Sequence, residues 1–308
     1  MQSIIDSCSL IVLSMFLDLK WSGGVSLARF GVHVSIAGGL DLSVGRAIEL
    51  GCDTYQIFTS NPRGWRSKHL SAGVIESFKA KLSSSGIWPV VGHMPYLPNL
   101  ASPRENVYSR SVQALKDELM RCSALGIPYL VTHMGSHLGS GRDNGISRTV
   151  GAIEAALPHS DGTKILLETT SGSRNSIGGR FEDLADVRER VGSDLLGICL
   201  DTCHVFAAGY DLRDETSLDE TLREFDSTVG LGNLMLIHLN DSVGDLGSGL
   251  DRHEHIGMGK IGLEGFAAVV NDRRLRELPM IMETPVDERR DDRGNLEVVR
   301  GLSRRGPS

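Results

Sequence analysis

The run Tyr129-Leu-Val-Thr-His133, the amphipathic segment Ser147–Leu157 and the run Lys164-Ile-Leu-Leu-Glu168 decide the fold. A short apolar run reads as a buried strand, and the longer segment with 3.6-residue periodicity reads as a helix. The three together form one strand–helix–strand unit. Each of its two strands ends on a residue that can bind a proton or a metal ion, His133 in the first and Glu168 in the second.

The same unit repeats in both directions from this centre. Strands are expected at Arg29–Val34, Thr54–Phe58, Trp88–Gly92, Leu196–Leu200, Leu234–Ile237 and Met280–Met282. Helices are expected at Leu42–Leu50, Ala72–Ser83, Arg104–Leu125, Phe181–Val191, Leu218–Val229 and Gly262–Val270. A weaker one lies near Glu288–Leu302. Arg104–Leu125 is the longest, with Gly126 as its stop. Eight strands each followed by a helix is the count of an α/β TIM (β/α)8 barrel. A doubly wound open sheet is the alternative, but no phosphate loop or G-x-G-x-x-G fingerprint is present, and Gly38-Gly39 reads as a turn.

The chain has 308 residues, of which 40% are apolar and 23% charged, enough for a full core and too ordinary for a disordered or collagen-like chain. No stretch has the roughly 20 apolar residues of a membrane span. Five cysteines (Cys8, Cys52, Cys122, Cys199 and Cys203), odd in number and never in C-x-x-C, argue against a disulfide framework and for a reducing cytoplasm. Ile4 to Leu19 is apolar but broken by Asp6 and Asp18, and it lacks the basic start and cleavage site of a signal peptide. Met15 is an alternative start. Residues 1–29 are therefore expected to be an extension without chemistry, and residues 30–308 a single barrel. The formal charge of −7 weighs mildly against nucleic acid as a partner.

Six successive strands deliver a histidine or a carboxylate at their C-terminal end: His93, His133, Glu168, Asp201, His238 and Glu283. In a closed parallel barrel these ends converge on one face, where active sites form. His204 follows in Asp201-Thr-Cys-His204, with Asp201 ending a strand and His204 on the next turn. Asp251 and His253 form D-x-H in a Gly-rich loop, where residues two apart on extended backbone can chelate one ion. Five histidines and four carboxylates exceed one tetrahedral zinc site and suit two or three ions. Several metals roughly 4 Å apart are typical of hydrolysis at phosphorus. The competing reading is a ring of buried ion pairs that staples the barrel top, which is costly with few basic partners.

These residues also carry a family resemblance. G-V-H-V-S-I-A-G-G (31–39), H-M-P-Y-L-P-N-L (93–100), H-M-G-S-H (133–137), L-E-T-T-S-G (167–172), L-D-T-C-H-V-F-A-A-G-Y-D (200–211), H-L-N-D (238–241), D-R-H-E-H-I-G (251–257) and M-E-T (282–284) resemble endonuclease IV, the zinc-dependent apurinic/apyrimidinic endonucleases. The resemblance runs from about Phe30 to Glu283. It implies three Zn²⁺ per chain. His93 and His133 would hold the first, with Glu168 bridging it to the second. Asp201, His238 and Glu283 would complete the second, and His204, Asp251 and His253 the third.

The implied reaction cleaves duplex DNA 5′ to an abasic site, leaving a 3′-hydroxyl, and removes blocked 3′ ends in base-excision repair. An activated water is the implied nucleophile, Glu168 or Glu283 helps take its proton, and Cys203 is a packed thiol without a role. The positions matching the family's DNA-wedging loops are Arg63, Tyr96 and Leu97. Met94-Pro95 stands where some members carry Asp-Ser, and Pro62 and Gly64 flank Arg63 where some carry Gln.

Three divalent ions would bring the formal charge from −7 to about −1. Arg29, Arg63, Arg66, Lys68, Arg142 and Arg252 are candidates for a basic rim. His33 reads equally as an orienting donor or a barrel cap. His137 and His255 lie near ligands without joining them, and His69 and His159 read as exposed. A monomer is expected. The alternatives are a metal-dependent sugar isomerase or epimerase on the same barrel, and a metal-dependent DNA-binding barrel without activity.

Overall fold

The structure is a computed structural model, and it describes residues 28–65 and 69–303. The extension expected at residues 1–29 lies almost wholly outside the described residues, as do Arg66 and Lys68 of the expected rim. The barrel strands are β1 (Arg29–Val32), β2 (Tyr55–Phe58), β3 (Val90–His93), β4 (Tyr129–Thr132), β5 (Lys164–Glu168), β6 (Leu196–Asp201), β7 (Leu234–His238) and β10 (Pro279–Met282). They form one eight-stranded parallel sheet in the order β1-β10-β7-β6-β5-β4-β3-β2. Its two ends meet at a parallel bridge between His33 and Gln56, where the Val34 N–H donates to the Gln56 carbonyl at 2.7 Å. Gly31 permits this closure, since a Cβ there would lie 1.7 Å from the Thr54 carbonyl oxygen. The fold is the expected TIM barrel.

Helices α1 (Leu42–Leu50), α2 (Ala72–Ser85), α3 (Glu105–Leu125), α4 (Arg142–Ala156), α5 (Phe181–Val191), α7 (Glu215–Thr228), α8 (Gly262–Asn271) and α9 (Asp292–Leu302) follow the strands. Gly126 ends α3 in the left-handed region at φ 72°, as expected of a helix stop. Helices α7 and α4 begin earlier than expected, each for its own reason. In α7, Asp214 accepts the Ser217 N–H at 2.8 Å, so the helix begins three residues before Leu218. In α4, Gly145 lies inside the helix, packed on His137 and Ile177, and the helix begins at Arg142 rather than Ser147.

Side chains alternate across a strand with period two, and this alternation builds the site. Val91, Val131, Leu166, Cys199, Leu236 and Ile281 form an apolar cluster separate from the outer core, one residue from each of six strands. Two residues further along each chain stand His93, His133, Glu168, Asp201, His238 and Glu283. The apolar layer plugs the barrel, and the polar layer faces the same way one step above it. No helix among the described residues is long and apolar enough to cross a membrane.

Candidate metal centre

Glu168 is the hub of the polar layer and is fully buried. Its Oε2 lies 3.0 Å from His93 Nε2 and 3.2 Å from His133 Nε2, and its Oε1 lies 2.9 Å from His238 Nδ1. Glu283 Oε2 and Asp201 Oδ2 approach His238 Nδ1 at 3.5 and 3.8 Å. On the far side of Asp201, its Oδ2 lies 3.7 Å from His253 Nε2, and His204 Nε2 meets Asp251 Oδ1 at 3.0 Å. All nine residues therefore meet in one basin.

Three subsets place their donor atoms close enough to surround one ion. These are His93–His133–Glu168, Glu168–Asp201–His238–Glu283 and Asp201–His204–His253. Asp251 joins the last of them through His204. Asp201 and His204 share a subset, although D-x-x-H alone sets His204 on the turn after the strand. Thr202–Ala208 is in fact a short helix, α6, which Asp201 caps by accepting the His204 N–H at 2.9 Å.

The donor set fits metal ions rather than ion pairs. No Lys or Arg side chain forms an ion pair with any of the four carboxylates among the described residues. The histidines also present bare nitrogens. His93 Nδ1 donates to the Met94 carbonyl at 2.7 Å, His204 Nδ1 to the Thr169 carbonyl at 2.9 Å, and His253 Nδ1 to the Glu283 carbonyl at 3.0 Å. Each leaves Nε2 aimed at carboxylates. His253 Nε2 is buried without any hydrogen-bond partner, yet carboxylate oxygens lie 3.7 and 3.8 Å away. A lone pair facing two anions across that gap is stabilised by a cation between them, and pinning the second ring nitrogen is how metal-binding histidines are oriented.

Without metal, protons take that place. Burial alone would lower the His204 pKa, but Asp201 and Asp251 outweigh it and push it up to about 10. Burial alone would raise Glu168, but the charges of His133 and His238 hold it well below the usual carboxylate range. Cys203 is fully buried, and burial pushes its thiol up to about 12, so it is no nucleophile.

Several residues complete the site that strand-end reading missed. Asn240 donates to Asp201 Oδ2 at 2.7 Å and accepts the Glu283 N–H at 2.7 Å. Gln56 reaches from β2 to both His238 and Glu283, and His33 lies 3.4 Å from Glu283 Oε1. Asp241 accepts the N–H groups of Ser242, Gly257, Gly259 and Ile261, all within 3.0 Å. This pins the loop that carries Asp251 and His253. Gly259 is required there, because a Cβ would lie 2.5 Å from Asp241 Oδ1. The same loop pairs β9 (His253–Glu254) antiparallel to β8 (Asp241–Ser242). The signal for Asp241 was the acidic residue in H-L-N-D, just past a strand.

Arg63, Tyr96 and Leu97 are exposed on the loops after β2 and β3. The two loops are tied: the Tyr96 N–H donates to the Pro62 carbonyl, and the Tyr96 ring stands edge-on to Phe58 at 5.1 Å. Helix α3 holds the base of the Arg63 loop. Its buried Glu118 accepts from the hydroxyls of Thr59 and Ser60, Arg121 grips Thr59, and Arg110 stacks over Trp65 at 4.2 Å.

The expected basic rim needs correction. Arg29 begins β1 and so sits at the opposite end of the barrel, donating to the Glu277 carbonyl. Arg142 is neutralised by Asp183 and Asp186. Arg63 and Arg252 remain exposed. His137 and His255 are structural: His137 Nδ1 accepts two loop N–H groups, and His255 is buried against Asp287 and Asn295.

The family described as "Xylose isomerase-like TIM barrel" matches residues 44–303. A barrel of that class, with a metal-binding basin at the C-terminal ends of its strands, is what the fold and site define. Among curated relatives, a "Probable endonuclease 4" of Methanoculleus marisnigri is 53% identical over 276 residues, covering 89% of this chain and 98% of its own length. One of the same name from Nitrosopumilus maritimus is 49% identical over 275 residues, with 88% and 99% covered. The crystal structure of endonuclease IV from Thermus thermophilus superposes with a TM-score of 0.80 at 37% identity, covering 89% of this chain and 98% of that one. The chain belongs to the endonuclease IV family. A D-tagatose 3-epimerase-like protein, at 23% identity and a TM-score of 0.67, shares the fold alone.

Proposed function

We propose that this enzyme is a zinc-dependent DNA-repair phosphodiesterase. It cleaves duplex DNA on the 5′ side of abasic sites, leaves a 3′-hydroxyl and clears blocked 3′ ends. The observation that carries this reading is the basin of eight clustered donors, with Asp251 joined to them through His204, without basic partners, in a chain of this family. His93, His133 and Glu168 would hold one Zn²⁺. Glu168, Asp201, His238 and Glu283 would hold a second. His204, Asp251 and His253, with Asp201 close by, would hold a third. When bound, the ions supply a water acidic enough to ionise near neutral pH and positive charge for the phosphoryl oxygens.

The chain's own groups do the rest. Glu168 at the basin centre and Glu283 beside it are the two carboxylates that would receive the water's proton. Arg63 and Tyr96 project above it, where an abasic nucleotide, poorly stacked, is extruded at lower cost than a normal one. Residues 30–308 act as one domain, with residues 1–29 appended. The enzyme works as a monomer in a reducing cytoplasm, consistent with the free cysteines at 52, 122, 199 and 203.

The test is a duplex with one synthetic abasic residue. The metal-loaded protein should nick it 5′ to the lesion, and a chelator should abolish the nick. Turnover of a ketose with the duplex left uncut would favour the epimerase reading. The Arg63 loop has its own test. Glu118→Ala leaves two buried hydroxyls without an acceptor, a loss of roughly 1–3 kcal/mol in stability. It should weaken duplex binding while the metal content stays as in the unaltered protein. Equal affinity for the duplex would show that α3 does not set the loop.

A further inference from the structure

The rings of His93, His204 and His253 are oriented by backbone carbonyls, but His238 is oriented by a side chain. Its Nε2 lies 2.9 Å from Gln56 Oε1. The amide nitrogen of Gln56 lies 2.7 Å from Glu283 Oε1 and 3.0 Å from His33 Nδ1. The orientation of this amide follows from its partners. An ionised Glu283 accepts only, so the NH₂ faces it and the oxygen faces His238. His238 must then carry a proton on Nε2, which leaves Nδ1 as its metal-binding atom. Nδ1 is the nitrogen that faces Glu168, Glu283 and Asp201, at 2.9, 3.5 and 3.8 Å. All three amide hydrogen bonds are made, two donated and one accepted, and Gln56 is fully buried.

We propose that Gln56 is a positioning residue for the second metal site, fixing the tautomer of His238 and the approach of Glu283 in one contact. The proposal rests on the metal-centre reading above. Gln56 also forms the bridge to His33 that closes the barrel between β1 and β2. Its place in the seam holds the amide rigidly, so the two ligands are set before any ion arrives. A flexible side chain on a loop would not provide this preorganisation. The other two sites contain no ring that depends on Gln56.

Gln56→Met keeps the length of the side chain and removes its hydrogen bonds. In titrations of the full-length protein with Zn²⁺ against a competing chelator, the unaltered protein should show three sites. Gln56→Met should show one of them weakened 10–100-fold, the cost usual for losing a partner of a metal ligand, and two unchanged. Equal affinity at all three sites would overturn the proposal, as would a uniform loss across them, which would mark Gln56 as structural only. An unaltered protein that binds no zinc would instead defeat the metal-centre reading itself.

A second measurement needs no variant. Long-range ¹⁵N–¹H spectra of the zinc-loaded, unaltered protein should place the His238 proton on Nε2 and leave Nδ1 without one. The reverse assignment would contradict the proposal.

Discussion

Glu168→Gln should lower nicking of an abasic duplex by at least about a thousandfold, equivalent to ~4 kcal/mol of transition-state stabilisation. Glu168 touches His93, His133 and His238 from the centre of the basin and is shared by two of the three donor subsets. A Gln there keeps the shape but removes the charge that, on the proposed reading, would let one residue serve two cations. It also directs an NH₂ group at imidazole nitrogens that must stay bare. Both neighbouring sites should lose zinc together. Glu154→Gln, on the exposed face of α4, is the control and should change neither property. Retention of more than about a tenth of the activity by Glu168→Gln would show that the carboxylate does not bridge.

The second large effect is on stability. At a thousandfold excess over Kd, each bound ion contributes roughly 4 kcal/mol, and each kcal/mol is worth about 2–4 °C in a chain of this size. Zinc loading should therefore raise Tm by more than about 10 °C. The gain should depend on pH with a sign the site dictates. In the metal-free protein His204 is raised from its ordinary 6.5 to about 10. The stability it contributes is complete below pH 6.5 and is lost as pH rises toward 10. Glu168 is depressed from 4.5, so its contribution is present above pH 4.5 and lost as pH falls below it. Together these two groups favour the metal-free fold most between about pH 4.5 and 6.5. Zinc requires bare imidazoles and competes with those protons. The gap between loaded and metal-free Tm should widen from pH 6 to pH 9. A constant gap, measured by thermal unfolding across that range, would mean that protons and metal do not share these ligands.

The barrel was legible because each strand is a short apolar run followed by an amphipathic stretch, and six of the eight strands end on a ligand type. A strand end marks the C-terminal face by itself, so the convergence of His93, His133, Glu168, Asp201, His238 and Glu283 needed only the fold. What was not legible depends on partners distant in sequence. Gln56 is one amide in Tyr-Gln-Ile-Phe, and its partners His238 and Glu283 lie 182 and 227 residues away. Glu118 looks like any charged residue of a long helix until Thr59 and Ser60 are brought against it. The short helix α6 is indistinguishable from a turn in the sequence because seven residues are too few to show a period. Arg29 lies on the opposite rim because it opens its strand rather than ends it, which residue type alone does not reveal. A polar residue inside an otherwise apolar strand, as Gln56 is, is a local signal of such a contact, as is the acidic Asp241 just past a strand.

The most direct test of the account counts the ions. The full-length protein, loaded with zinc, freed of excess by gel filtration and analysed for metal, should hold close to three per chain and lose its nicking activity as they are withdrawn. A value near one, or full activity after all metal is removed, would contradict it.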